Sequence, residues 1–123
     1  MNTGQHGDDG KALRGEQDLL RRVQRLLHQP EAHVRTGIGD DCAVLALPGA
    51  SEHLIVTTDL LIEHIHFELS HQSPQQLGAK AVTVNLSDLA ASGAQPLGAL
   101  VAIAVPSHCD GRFIEQLYGG MEE

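Results

Sequence analysis

Aromatic residues are nearly absent from this chain, and their scarcity limits the kinds of core that it can form. Aromatics make up 2% of the 123 residues, whereas hydrophobic residues as a whole make up 41%. Leu, Val, Ile and Ala side chains must therefore fill the interior, which suits an α/β domain with close packing between helices and a sheet. The length allows one domain with a real core and is too short for two.

Charge and cysteine usage exclude several kinds of partner and site. The formal net charge is −8 with neutral His, and the only lysines are Lys11 and Lys80. No basic surface for nucleic acid is therefore expected, while a surplus of carboxylates is compatible with hard cations. Cys42 and Cys109 lie far apart without a CxxC pair, which indicates neither a zinc site nor a disulfide framework.

Hydropathy gives no sign of a membrane segment. The sequence has no apolar run near the roughly 20 residues that a spanning helix needs, and no charged-then-apolar beginning of a secretion signal. We therefore expect a soluble, cytoplasmic protein.

Apolar periodicity and capping residues predict a polar lead-in followed by a domain with three helices. Residues 1–15 are polar and Gly-rich and predict a disordered lead-in, so that the domain proper is expected over 16–123. Apolar residues recur at helical spacing from Glu16 to Gln29, and Pro30 is expected to close this amphipathic helix. Further along, a helix from Pro74 to about Ser92 and another from Gly111 are predicted from their capping residues.

Three apolar, β-branched stretches predict strands. The first covers Ala43–Leu47, and the second covers His53–Glu63. Because the second lacks clean alternation, it is expected to be buried on both faces. The third covers Leu97–Val105 and is closed by Pro106.

Three short acidic motifs stand out in the sequence. They are Gly37-Ile-Gly-Asp-Asp41, Thr57-Thr58-Asp59 and Asn85-Leu-Ser-Asp88. The first is also typical of a simple turn, and Asp88 is also compatible with a buried hydrogen-bonding role on its helix. Asp59 is harder to explain by structure alone, because Asp is disfavoured within an apolar strand unless it has a partner, and a metal ion is one such partner.

Grouped carboxylates become tolerable when divalent cations neutralise them, and oxygen-only ligands favour magnesium over zinc or copper. Magnesium with little other chemistry is typical of phosphoryl transfer, in which positioning and charge neutralisation do most of the catalysis. The sequence has neither a GxxxxGK[ST] P-loop nor a strand-following GxGxxG. A less common nucleotide-binding fold is therefore needed.

Three segments together resemble a known family. In order and spacing, GIGDDCAVL, TTDLLIEHIHF and KAVTVNLSDLAASGAQPLGALVAIAVP are similar to the N-terminal domain of thiamine-monophosphate kinases, within the aminoimidazole-ribonucleotide-synthetase-like superfamily. The resemblance covers about residues 15 to 120. It implies an α/β domain with a mixed sheet packed with helices, a homodimer paired through the sheet, and ATP-dependent phosphorylation of thiamine monophosphate with magnesium.

The resemblance also implies roles for individual residues. The family's magnesium ligands match Asp41, Thr57, Thr58, Asp59 and Asp88. His66 matches a substrate contact, and Tyr118 resembles a position that contacts the nucleotide. Asp40 could serve the turn or support its neighbour. No residue is implied as a covalent catalyst, because the family transfers the γ-phosphoryl group in line to a phosphate oxygen of the substrate.

Departures from the family pattern leave alternatives. The Gly-Gly-Asp segment expected after the last helix is absent, and so is the C-terminal domain, so the N-terminal domain is expected to be incomplete. An inactive fragment that dimerises or binds magnesium is one alternative. Another ATP-using member of the superfamily, such as a selenophosphate synthetase or a hydrogenase-maturation protein, is a second, but the TTD strand followed by His66-Phe67 argues against it.

Overall fold

A computed structural model describes residues 12–27 and 32–123. Most of the predicted lead-in, residues 1–11, lies outside the described residues, and so does the predicted helix stop at Pro30. The fold is α/β, as predicted. Its elements in chain order are α1 (Glu16–Leu26), β1 (Val34–Thr36), β2 (Ala43–Ala46), β3 (His53–Val56), α2 (Pro74–Ala91) and α3 (Gly111–Glu122).

The sheet has three short strands in the order β1-β2-β3. Both pairings are antiparallel, and β2 and β3 align from Ala43 opposite Val56 to Ala46 opposite His53. The prediction of a mixed sheet is therefore wrong for the described part of the chain. Strand β1 was missed by the sequence analysis, because three residues that follow a helix give too short a period to recognise.

Strand β3 is shorter and more open than predicted. It ends at Val56 instead of Glu63, because β2, its one neighbour among the described strands, begins at the residue opposite Val56. The prediction that it is buried on both faces is also wrong, since His53 and Val56 at its two ends are exposed. The polar Thr57-Thr58-Asp59 segment therefore leaves the sheet.

The predicted strand Leu97–Val105 is not a strand in the described structure. Its backbone is extended, but residues 95–105 take part in no backbone hydrogen bond that the structure describes. Leu97 and Leu100 are 87% and 104% exposed. A strand is defined by its ladder to a neighbour, and none of the described strands pairs with this segment.

Helix α2 forms as its terminal residues predict. The Ser73 side chain accepts from the Gln76 amide, and the Gln76 side chain accepts in turn from the Ser73 amide, which completes a capping box. Pro74 occupies the first turn, where its missing N–H costs nothing. Gly93 follows the helix with φ +67°, which a residue with a Cβ adopts only at a cost.

Helices α2 and α3 pack against each other at two glycines. A Cβ on Gly78 would overlap the carbonyl oxygen of Leu117, and one on Gly120 would overlap the carbonyl oxygen of Gln75. The Asp110 side chain caps α3 by accepting from the Phe113 amide at 2.9 Å. Buried Leu77 and Leu117 lie on these two helices, so most of the small core is at this interface.

Helix α1 begins at Glu16 as predicted and ends at Leu26, a turn earlier than expected. The Arg14 amide donates to the Asp18 carboxylate, and this hydrogen bond, with the nearby Arg22 guanidinium, lowers the pKa of Asp18. Gln24 joins the helix to the following loop by donating to the Ile38 carbonyl at 2.6 Å. Within the described residues, none of the helices has the length and apolar character that crossing a membrane requires.

Candidate functional site

A tight turn presents the first acidic motif. Gly39 has φ +109°, and the Asp40 carboxylate accepts from the Asp41 amide at 2.8 Å. This bond lets Asp40 hold the turn, while the side chain of Asp41 stays exposed. The motif is therefore a turn and at the same time a site at which Asp41 is available to a ligand.

Thr57 joins the first and third motifs. Its hydroxyl lies 3.0 Å from an Asp88 carboxylate oxygen and 3.2 Å from the Asp41 carbonyl oxygen. Because β3 pairs with β2, the end of β3 lies beside the start of β2, just after Asp41. Three residues that are distant in sequence, Asp41, Thr57 and Asp88, thus meet, and we call them the Thr57 cluster.

A single hydroxyl hydrogen cannot serve both acceptors of Thr57 at full strength. The cluster therefore has more oxygen lone pairs than hydrogens to fill them. The atoms of the cluster that could bind a cation are a carboxylate oxygen, a hydroxyl oxygen and a carbonyl oxygen. Magnesium prefers oxygen ligands of this kind. The residues present fit a magnesium ion, with Asp88, Thr57 and Asp41 as the ones that would hold it.

Two predicted ligands stand apart from this cluster. Thr58 and Asp59 follow Thr57 directly and are both exposed. Among the described residues, neither side chain has a hydrogen bond or ion pair to Asp41, Thr57 or Asp88. Their assignment as ligands stays a prediction, as it does for the other three.

Asp88 is placed by the regular part of α2. It lies half-buried on the helix, and Asn85, one turn earlier, donates to the Ala81 carbonyl at 2.9 Å. The Asn85 amide group is therefore tied to its own helix, and the Asp88 carboxylate turns to Thr57 instead. The helix supplies a rigid base for one member of the Thr57 cluster.

The predicted substrate residue lies in a tight loop after β3. The His66 amide donates to the Ile62 carbonyl at 2.8 Å, and the Ile62 amide donates to Nδ1 of the His66 ring at 3.0 Å. Lys80 of α2 donates to the His66 carbonyl at 2.5 Å. The His66 side chain is exposed and thus available to a ligand.

Tyr118, the predicted nucleotide residue, lies on α3 and is 42% exposed. It follows Leu117, whose carbonyl meets Gly78 of α2. No described hydrogen bond joins Tyr118 to the Thr57 cluster or to His66. The predicted nucleotide contact of Tyr118 therefore rests on the family resemblance and stays a prediction.

Sequence analysis missed a group of possible metal ligands formed by Glu63, His64 and Glu68. One ligand atom from each lies within 4.8 Å of the others, a proximity that the aspartates of the acidic motifs do not reach as a trio in the described structure. The His64 ring is 2.9 Å from a Glu68 oxygen, and His64 has a positive φ of +67°. Glu63, His64 and Glu68 lie within six residues of sequence, and this closeness was the available signal.

Sequence analysis also missed the contact of Lys80 with the His66 loop. The sequence held no signal for this contact, because it depends on how the loop after β3 folds back onto α2. A shallow depression at the beginning of α2 is lined by Ser73, Gln75, Gln76, Ala79 and Glu123. None of the predicted site residues lines it.

Comparison with known proteins supplies independent information. Residues 39–123 match the sequence model of the family described as AIR synthase related protein, N-terminal domain. The chain is 42% identical over 110 residues to the thiamine-monophosphate kinase of Bacillus subtilis, which covers 88% of the chain and 33% of that relative. It is 41% identical over 85 residues to the enzyme of the same name from Corynebacterium glutamicum, covering 69% of the chain and 26% of that relative.

A third relative, from an archaeon, carries the same name. The thiamine-monophosphate kinase of Methanocaldococcus jannaschii is 31% identical over 109 residues, covering 88% of the chain and 34% of the relative. The chain thus spans about a third or less of the length of these curated relatives. No solved structure matches the chain significantly.

Proposed function

We propose, from the premise that this chain belongs to the family of AIR synthase related proteins through its N-terminal domain, that it is part of a thiamine-monophosphate kinase. The reaction is the ATP-dependent phosphorylation of thiamine monophosphate to thiamine diphosphate. The observation that carries the proposal is the Thr57 cluster, because it joins all three acidic motifs within a chain whose relatives bear this name.

In the proposed reaction, a terminal phosphate oxygen of thiamine monophosphate attacks the γ-phosphorus of ATP in line. A new P–O bond forms while the bond between the γ-phosphorus and the β–γ bridging oxygen breaks, and ADP leaves with that electron pair. The nucleophile is already anionic near neutral pH, so no general base is required. Magnesium, when bound, neutralises the charge on the two anions, ATP and thiamine monophosphate.

The chain's own residues position and bind. The Asp88 carboxylate brings negative charge to the proposed cation site, and the Asp41 carbonyl brings an oxygen ligand. The Thr57 hydroxyl contacts both groups and keeps them at a fixed separation. Thr58 and Asp59, which follow at the end of β3, are proposed as further oxygen ligands. His66 contacts the acceptor, and Tyr118 on α3 contacts the nucleotide.

Calorimetric titration of the 123-residue chain with a non-hydrolysable ATP analogue, with and without Mg²⁺, tests the proposal. Binding is expected only with Mg²⁺, and Asp88→Asn should weaken it by tenfold or more, since a charge-assisted contact is lost. Glu52→Gln removes the same charge from an exposed turn and should leave binding unchanged. Equal affinity with and without Mg²⁺ would contradict the proposal.

Turnover separates the kinase from a chain that binds without transferring phosphate. A kinase forms thiamine diphosphate and ADP in equal amounts when it is given ATP, Mg²⁺ and thiamine monophosphate. Magnesium-dependent nucleotide binding without diphosphate formation would instead favour the alternative of a binding fragment.

A cytoplasmic homodimer is the proposed state of the protein. Support comes from the extended segment 94–106, whose apolar residues Leu97 and Leu100 are almost completely exposed. Such a segment is available to pair with another strand. Sedimentation equilibrium should give twice the chain mass of 13.1 kDa, and a monomer at every concentration would contradict this part of the proposal.

Nucleic acid is not a proposed partner, because the net charge is −8.

A further inference from the structure

The turn of residues 37–41, which carries the first acidic motif, is held from two sides. On one side, the Gln24 side-chain amide of α1 donates to the Ile38 carbonyl at 2.6 Å. On the other side, the Asp41 carbonyl oxygen lies 3.2 Å from the Thr57 hydroxyl. Because Ile38 and Asp41 are three residues apart, these two contacts hold the turn near both of its ends.

The glycine between these contacts makes room for the Gln24 side chain. A Cβ on Gly39 would lie 3.0 Å from Nε2 of Gln24, which is closer than ordinary van der Waals contact. A side chain at this position would therefore push the Gln24 amide away from the Ile38 carbonyl. The open backbone of the turn lets a residue of α1 approach and hold it.

The hydrogen bond inside the turn has a different role from the Gln24 contact. The Asp40 carboxylate accepts from the Asp41 amide at 2.8 Å, which keeps the local shape of the turn but ties it to no other element. Gln24 supplies such a tie, since its own backbone is part of a regular helix. The Asp41 carbonyl thus meets Thr57 in a turn that α1 holds from the opposite side.

The rigidity of the turn bears on which cation the Thr57 cluster prefers. This step rests on the proposed function, which places a magnesium ion at that cluster. Mg²⁺ demands near-ideal octahedral geometry at about 2.0–2.1 Å, whereas Ca²⁺ accepts about six to eight oxygens at about 2.3–2.6 Å in flexible arrangements. A turn that is free to move would therefore disturb Mg²⁺ more than Ca²⁺.

We propose that Gln24 is a positioning residue that holds the turn of residues 37–41 in the geometry that favours Mg²⁺ over Ca²⁺ at the Thr57 cluster. The Gln24 amide acts on the ion only through the turn, because the Ile38 carbonyl engages it. Helix α1 thereby contributes to the ion selectivity of the site without supplying a ligand.

Separate titrations of the 123-residue chain with Mg²⁺ and with Ca²⁺, followed by ¹H–¹⁵N NMR at the Asp41 amide, test this role. Gln24→Met removes the donor but keeps the side-chain length and the helix propensity. It should weaken Mg²⁺ about fivefold, the effect of one neutral hydrogen bond, and Ca²⁺ by less than about twofold. Gln17→Met is the matched control and should change neither affinity, because Gln17 is exposed on the same helix and has no hydrogen bond in the described structure.

A second substitution at the same position restores the donor. Gln24→Lys places an N–H donor on a long side chain, and its positive charge should weaken both cations to a similar extent. The ratio of the Mg²⁺ and Ca²⁺ affinities should therefore return toward that of the unchanged chain. Equal weakening of both ions in a Gln24→Met chain with unchanged helical circular dichroism, or no weakening of either ion, would overturn the proposal.

Failure of the proposed function gives a different result. If the unchanged chain binds neither ion, the cation site fails and the role of Gln24 falls with it, before any variant is compared. A further readout needs no ion: one side-chain amide proton of Gln24 should lie downfield and exchange with water more slowly than those of Gln17. Equal signals and exchange rates for the two side chains would overturn the role of Gln24 even if the cation site stands.

Discussion

The pair of helices α2 and α3 differs sharply from the segment 94–106 that connects them. The helices meet through two glycines and bury Leu77 and Leu117 between them. The connecting segment is just as apolar, yet Leu97 and Leu100 are almost completely exposed and residues 95–105 take part in no backbone hydrogen bond in the described structure. Apolar character alone therefore does not place a segment in the core.

The difference lies in where each element finds its hydrogen bonds. A helix satisfies its backbone internally and needs only caps at its ends, and Ser73 and Asp110 supply the caps at the N-terminal ends of α2 and α3. A strand satisfies its backbone only through a neighbour, and the three paired strands of the described sheet are at most four residues long. The helical pair should accordingly carry most of the stability of this chain.

The largest expected effect compares one leucine from each region. Leu117→Ala removes a side chain that is 4% exposed and should lower the free energy of unfolding by about 2–5 kcal/mol. Leu100→Ala changes a fully exposed side chain and should alter it by less than about 0.5 kcal/mol. Urea unfolding followed by helical circular dichroism measures both. Equal losses would show that the connecting segment is packed in solution.

A smaller effect is expected at two neighbouring glycines of α3. Gly120→Ala places a Cβ against the backbone of Gln75 and should destabilise by about 1–3 kcal/mol. Gly119→Ala places one in open space and should be neutral or stabilise by up to about 1 kcal/mol, because Ala favours a helix. Thermal unfolding of the two variants gives the comparison, and a Gly120→Ala chain as stable as the Gly119→Ala chain would mean that the helices do not meet at Gly120.

The smallest effect concerns the cap of α2. Ser73→Ala removes one half of the capping box and should cost about 1 kcal/mol. Ser70→Ala, in the exposed turn before the helix, is the matched control and should be neutral. Urea unfolding of the two variants under identical conditions is the measurement. A neutral Ser73→Ala would indicate that packing against α3 alone begins the helix.

The comparison also explains which parts of the fold were predictable. Helices α2 and α3 were placed within a residue or two, because Ser73, Gly93 and Asp110 are local signals. Strand β2 was found, but β1 was missed and β3 was predicted too long. Leu97–Val105 was predicted as a strand from its β-branched residues. Strand pairing depends on distant residues, which a local pattern does not contain.

The candidate site divides in the same way. The sequence named Asp41, Thr57 and Asp88 from separate motifs, and the structure joins them through one hydroxyl. Their role as magnesium ligands, together with that of Thr58 and Asp59, stays a prediction. The substrate contact of His66 and the nucleotide contact of Tyr118 stay predictions too. The contact between Lys80 and His66 could not be foreseen, because it depends on how the loop after β3 folds back onto α2.

A titration with Mg²⁺ alone, followed by ¹H–¹⁵N NMR, tests the central claim that the Thr57 cluster is the cation site. We expect shifts centred on the amides of Asp41, Thr57 and Asp88, and we expect Asp88→Asn to abolish them. Shifts centred on Glu63, His64 and Glu68, with the Thr57 cluster unmoved, would contradict it.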